Sequence, residues 1–192
     1  MTTVSIALLL VTQLAVGQAS SAKNPWERVP LKPVSEIELP ADTLDGKWKP
    51  SEGFRVDDLS KTEALPAAKR QLAEALAKQL SPVGIRSAAD YTLIKTGFPL
   101  NTVTVRLYVF EDAKKCRAWW EKKYRADGWR KHYEQVDCEN AVVVRSLQTN
   151  KTAMAFGNVW LTTHQLRDGD EHLKAANHVL KLLTADKRSL PK

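Results

Sequence analysis

Between residues 102 and 110 the side chains alternate, with Val103, Val105, Leu107 and Val109 on one side and Thr104, Arg106, Tyr108 and Phe110 on the other. A period of two is the pattern of a strand whose faces meet different surroundings. A strand from Tyr91 to Phe98 precedes it across a short turn around Pro99 and Asn101. Three more follow at Trp129 to Val136, Ala141 to Gln148 and Ala153 to His164, each bounded by turn-forming residues.

Three stretches carry helical spacing instead. From about Leu65 to Leu80, with Pro66 suited to the first turn, Leu65, Ala68, Leu72, Leu76 and Leu80 form one stripe. Asp112 can cap a second helix ending near Ala126 or Asp127 before Gly128, with Ala113, Cys116, Trp120 and Tyr124 inward. A third covers about Glu171 to Thr184, where Asp168 and Glu171 suit a capping box and Leu173, Ala176, Leu180 and Leu183 face the core. The order α-β-β-α-β-β-β-α predicts an α+β fold, a mainly antiparallel sheet of about five strands with helices packed on one face.

The start of the chain has a different pattern. Residues 1–22 carry no charge, Ile6 to Val16 form an apolar run too short for the ~20 residues of a membrane span, and small residues precede Lys23. This is the pattern of a cleavable secretory signal, which predicts a secreted or periplasmic protein with no transmembrane segment once the signal is removed. Residues 23–60 hold Pro25, Pro30, Pro33, Pro40 and Pro50, which bar long helices and central strands. They read as an arm, docked through Trp26, Trp48 and Phe54, ahead of a single domain over residues 61–192.

Composition sharpens this reading in two places. The formal charge of +7 lies wholly outside the first 22 residues and favours an anionic extracytoplasmic partner, whether glycan, lipid head group or protein. Export argues against nucleic acid, and no ribonucleoprotein signature is present. The chain has two cysteines, Cys116 and Cys138, and in an oxidising compartment an even count points to one disulfide, worth about 3 kcal/mol by chain entropy.

Signals for catalysis are sparse. His172 and His178 share a helix about 120° apart and do not chelate from one face; the four histidines read as surface residues. No nucleophile elbow, Ser-x-x-Lys pair or phosphate-binding glycine loop occurs, and the acidic clusters sit where helix caps belong. The sequence therefore supplies no catalytic residue, metal site or cofactor. Asn150-Lys151-Thr152 matches a glycosylation acceptor expected in a turn.

The most informative feature is the non-aliphatic side of the sheet. Alternation places Arg106 and Tyr108 together, and over Ala153 to His164 it places Phe156, Trp160 and His164 on one face. Aromatic rings with basic groups between them suit stacking on a flat ligand, the competing reading being ordinary core covered by the Trp26 and Trp48 arm or a second subunit. The leading expectation is a non-enzymatic binding domain using Arg106, Tyr108, Phe156, Trp160 and His164. The alternatives are a small exported hydrolase assembled only in three dimensions and an accessory subunit of an envelope complex.

Mass spectrometry of the protein from its native compartment is expected to find the N-terminus at Ser20 or Lys23; a soluble form beginning at Met1 contradicts export.

Overall fold

The computed structural model describes residues 24–27, 31–44, 47–51, 53–124, 131–136, 138, 141–167 and 169–184. The predicted signal segment, Asp168 and Gly128 lie outside them. In chain order the elements are β1 (Trp48–Pro50), β2 (Phe54–Val56), α1 (Ala67–Leu80), β3 (Ile85–Lys95), β4 (Phe98–Phe110) and α2 (Ala113–Tyr124). They continue as β5 (Tyr133–Val136), β6 (Val142–Ser146), β7 (Asn150–Phe156), β8 (Val159–Gln165) and α3 (Glu171–Leu183).

The fold is α+β, with all paired strands antiparallel in one sheet of order β1-β3-β4-β8-β7-β6-β5 and β2 also on β3. After β4 the chain crosses through α2 to the far edge and returns as a meander that sets β8 against β4. The sheet has eight strands rather than five. Two come from the arm, and the expected strand Ala153 to His164 is really the end of β7 and nearly all of β8, folded back at Gly157 and Asn158. Likewise β3 and β4 turn at Thr96 and Gly97, where Gly97 has φ of 82°, so Asn101 lies within β4.

Helices cover both faces, not one. Val103, Val105 and Leu107 meet Ala176, Val179, Leu180 and Leu183 of α3, together with Val34, Ile37, Leu39 and Trp48 of the arm. Tyr108, Phe110, Ala155 and Trp160 meet Cys116, Trp120 and Tyr124 of α2, while Ala73 and Leu80 of α1 join the same core. The reason is the alternation itself: near Tyr108 and Trp160 the second face is apolar too, and leaving such side chains in water costs about 1.5–3 kcal/mol each.

The arm is integral to this packing. Lys32 N–H donates to the Leu183 carbonyl at 3.0 Å, and the Tyr91 hydroxyl donates to the Val34 carbonyl at 3.2 Å. Gly53 permits β2 to approach β3, since a Cβ there would lie 2.2 Å from the Asp90 carbonyl oxygen.

Local signals were met unevenly. The Asp112 carboxylate accepts from Lys115 N–H at 2.8 Å, the expected cap of α2. In α1 the buried face is Ala73 and Leu80 with Leu76 and Ala77 half-buried, while Ala68 and Leu72 are exposed. That helix rests at the sheet's edge, where only a narrow stripe finds apolar neighbours. At α3 the N-cap is Asp170, whose side chain makes no cap hydrogen bond. Asn150 opens β7 rather than a turn, and its Nδ2 donates to the Arg167 carbonyl at 2.8 Å.

The expected disulfide is absent. Cys116 and Cys138 are free thiols, the first packed in the core beneath α2 and the second against the core on the α3 side. The sheet separates them, and a bridge needs Cα atoms within about 7 Å. Burial pushes the Cys116 thiol up to about 12. A thiol reagent applied to the native protein is expected to modify half-buried Cys138 and leave Cys116 untouched until denaturant is added; protection of both would restore the bridge.

Candidate functional site

Cross-strand register arranges the α2-side face of the sheet in rows. The first row is Ala88, Tyr108, Trp160 and Ala155; the second is Asp90, Arg106, Thr162 and Ala153; the third is Thr92, Thr104, His164 and Lys151. Along these rows the surface changes from covered and aromatic to open and polar.

The first row is core. Tyr108 and Trp160 stack with centroids 5.0 Å apart, and Trp119 of α2 meets both edge-on at 6.3 and 6.0 Å. Their exposures are 8% and 7%, so they are not an open stacking platform. Burial raises the Tyr108 hydroxyl, with neighbouring Arg106 opposing that effect. Removing a side chain such as Trp160 from such packing costs about 3–5 kcal/mol.

Phe156 does not belong to this face. It pairs with Val159 and is fully buried in the α3-side core. Continuous alternation from 156 to 160 fails because the chain reverses at Gly157, whose φ is 51°. Of the five residues expected together, Arg106, Tyr108, Trp160 and His164 share a face, and Arg106 and His164 reach its open part.

That open part has a defined polar structure. Arg106 donates from Nε and Nη2 to Asp90 Oδ2 at 3.0 and 2.9 Å, with the arginine side chain 49% exposed and the aspartate 14%. The Thr92 hydroxyl lies 3.4 Å from Asp90 Oδ1 and 3.3 Å from the Thr104 hydroxyl. Thr162 and His164 are half-buried beside them. Burial first, and then the Lys151 ammonium, hold the His164 imidazole below its usual value. The face thus presents a fixed guanidinium, an ammonium, a neutral imidazole and several hydroxyls.

Asp90 also lines a groove of about 680 Å³ between α1 and β2, with Phe54, Leu72 and Leu76 as apolar walls and Lys69 as a cation. The Arg55 guanidinium is on the other face of the sheet, 5.3 Å from the centre of the Tyr91 ring. The groove and polar rows meet at Asp90. Sequence reasoning missed Asp90, Thr92 and Lys151 because only the pairing of β3, β4, β8 and β7 sets them beside Arg106. Thr104 was visible in the alternation.

His172 overturns the surface reading of the histidines. It is 6% exposed, and Gln165 Oε1 accepts its backbone N–H at 3.2 Å and lies 3.2 Å from its Nδ1. Gln165 Nε2 in turn donates to Glu171 Oε2 at 2.7 Å. Gly169, with φ of 149°, makes room for this cluster; a Cβ there would lie 2.1 Å from Glu171 Oε2. Burial first, and then Arg145, lower the His172 imidazole against the opposing pull of Asp170 and Glu171. Among the described residues no three His, Cys, Asp or Glu side chains converge to hold a metal ion.

No family model matches the chain, and no curated protein matches it. Among solved structures, the extracellular domain of PknH from Mycobacterium tuberculosis aligns with a TM-score of 0.39 and 12% identity, covering 70% of this chain and 84% of that one. That likeness is too distant to define fold or function.

With folded-state values below the ordinary 6.5, His164 and His172 bind fewer protons than they do unfolded. Their contribution to stability is present above about pH 6.5 and declines as pH falls through that value. Urea denaturation is expected to show stability falling between about pH 6.5 and 5, with a shallower slope in His172→Gln; an unchanged slope in that variant contradicts the assignment.

Proposed function

We propose that the chain is an exported, non-catalytic interaction domain that binds an anionic extracytoplasmic partner where the open polar rows meet the groove. One observation carries this reading: Asp90, which lines the groove together with Lys69, holds the half-exposed Arg106 guanidinium at the edge of this concave, partly apolar surface. Concave surfaces with apolar walls and a few convergent polar groups are the usual form of binding sites. Arg106 is held in place by Asp90, so little freedom is lost when its remaining N–H groups meet a carboxylate, sulfate or phosphate. The uncharged leader-like start and the net charge of +7 support an anionic partner outside the cytoplasm.

The partner is then held mainly by charge-assisted hydrogen bonds to Arg106 and Lys69, with Phe54 and Leu72 adding apolar contact. The buried Tyr108 and Trp160 support the sheet beneath these groups and do not touch the partner.

The test is calorimetric titration of the full chain with polyuronic and phosphate-bearing glycans and with acidic secreted proteins. An Arg106→Gln, Lys69→Gln double variant is expected to lose at least about tenfold in affinity and most of its salt dependence, with its circular dichroism unchanged. Equal binding by the double variant, or binding insensitive to salt, rejects this surface.

A further inference from the structure

Several chain segments end together at the rim of the sheet beyond the third row. Lys95 lies opposite Phe98 across the β3–β4 turn, and Leu166 N–H donates to the Thr102 carbonyl at 3.2 Å, bringing the end of β8 there. Asn150 lies opposite Gln165, which adds the β6–β7 turn. Leu147 N–H donates to the His132 carbonyl at 2.8 Å, and Thr96 N–H to the Lys47 carbonyl at 2.7 Å, adding the start of β5 and the arm.

This rim gathers most of the large exposed apolar side chains among the described residues. Among the described residues the large exposed hydrophobic side chains are Leu72, Val83, Phe98, Leu100, Leu147 and Leu166. The last four are all here, at exposures of 64%, 68%, 57% and 59% respectively. Lys47, Lys95, Lys131, Lys151 and Arg167 stand among them in the sequence and at the same strand ends. The acids at the start of α3 are engaged: Asp170 pairs with Lys174 at 3.5 Å and Glu171 accepts from Gln165.

We propose that this rim docks the protein on an anionic lipid bilayer, with Phe98, Leu100, Leu147 and Leu166 entering the boundary between head groups and acyl chains. Separate loop tips carrying one or two apolar side chains each do not make the flat, continuous patch of a protein interface. They suit a soft, deformable phase. The surrounding cations complement anionic head groups, each strengthening attachment by about fivefold near such a surface, while apolar insertion supplies the part that salt does not screen. The rim is distinct from the groove at Arg106, so the two can fail separately.

The test is sedimentation of the full chain with vesicles of phosphatidylcholine alone or with about one third phosphatidylglycerol. Partition onto the anionic vesicles is expected to exceed that onto neutral ones by at least about tenfold and to weaken with salt. A Phe98→Ser, Leu100→Ser variant is expected to lose at least about tenfold in partition with an unchanged circular dichroism spectrum. Val83→Ser, exposed elsewhere, should partition as the parent does. No partition onto anionic vesicles, equal partition by the double variant, or equal loss in Val83→Ser overturns the proposal. So does a dimer in sedimentation velocity that Phe98→Ser, Leu100→Ser dissociates, since the rim is then a protein interface.

Discussion

Strand β4 carries buried side chains on both faces, and this obliges the chain to build a layer on each side of the sheet. Val103, Val105 and Leu107 need one apolar cover, while Tyr108 and Phe110 need another. A sheet so placed has no solvent face along half its length, which distinguishes it from an antiparallel sheet with one wet side. The α3 and arm layer answers the first demand. The α1 and α2 layer answers the second, with Trp119 edge-on to the Tyr108–Trp160 stack and Trp120 packed against Tyr124.

The open site arises where that second demand stops. One residue pair beyond Tyr108 along β4 the side chains become Arg106 and then Thr104, and no helix among the described residues covers them. Asp90 is the hinge of this surface: it holds Arg106, lines the groove beneath α1, and its carbonyl fixes how near β2 approaches at Gly53. An aspartate that is 14% exposed would be costly unpaired, because a buried carboxylate requires a partner. Structure and proposed binding therefore share the same ion pair.

At the α3 end, the Gln165, Glu171 and His172 cluster locks the close of β8 to the start of the last helix. Asp170 stands at the N-cap of that helix without a side-chain cap hydrogen bond. Gly169 is needed there because a side chain would occupy the space of Glu171. The same arrangement leaves Leu166 and Arg167 outside the packed layers, at the rim where the other loop tips collect.

The sequence by itself determined the α+β class, the antiparallel pairing, all three helices, the Asp112 cap and the two-sided nature of the 102–110 strand. These depend on periodicity and on capping groups, which act within a few residues. It also placed Arg106, Tyr108, Trp160 and His164 on one face. Only the tertiary structure decided that helices cover both faces, that Phe156 lies opposite Trp160's side, and that Cys116 and Cys138 are kept apart by the sheet. Each of these turns on which strand neighbours which and on a reversal at Gly157, where a single change of direction resets every following side chain. Alternation tells which residues share a face but not what lies above it, so burial of the aromatic row and exposure of the polar one were settled by where α2 came to rest.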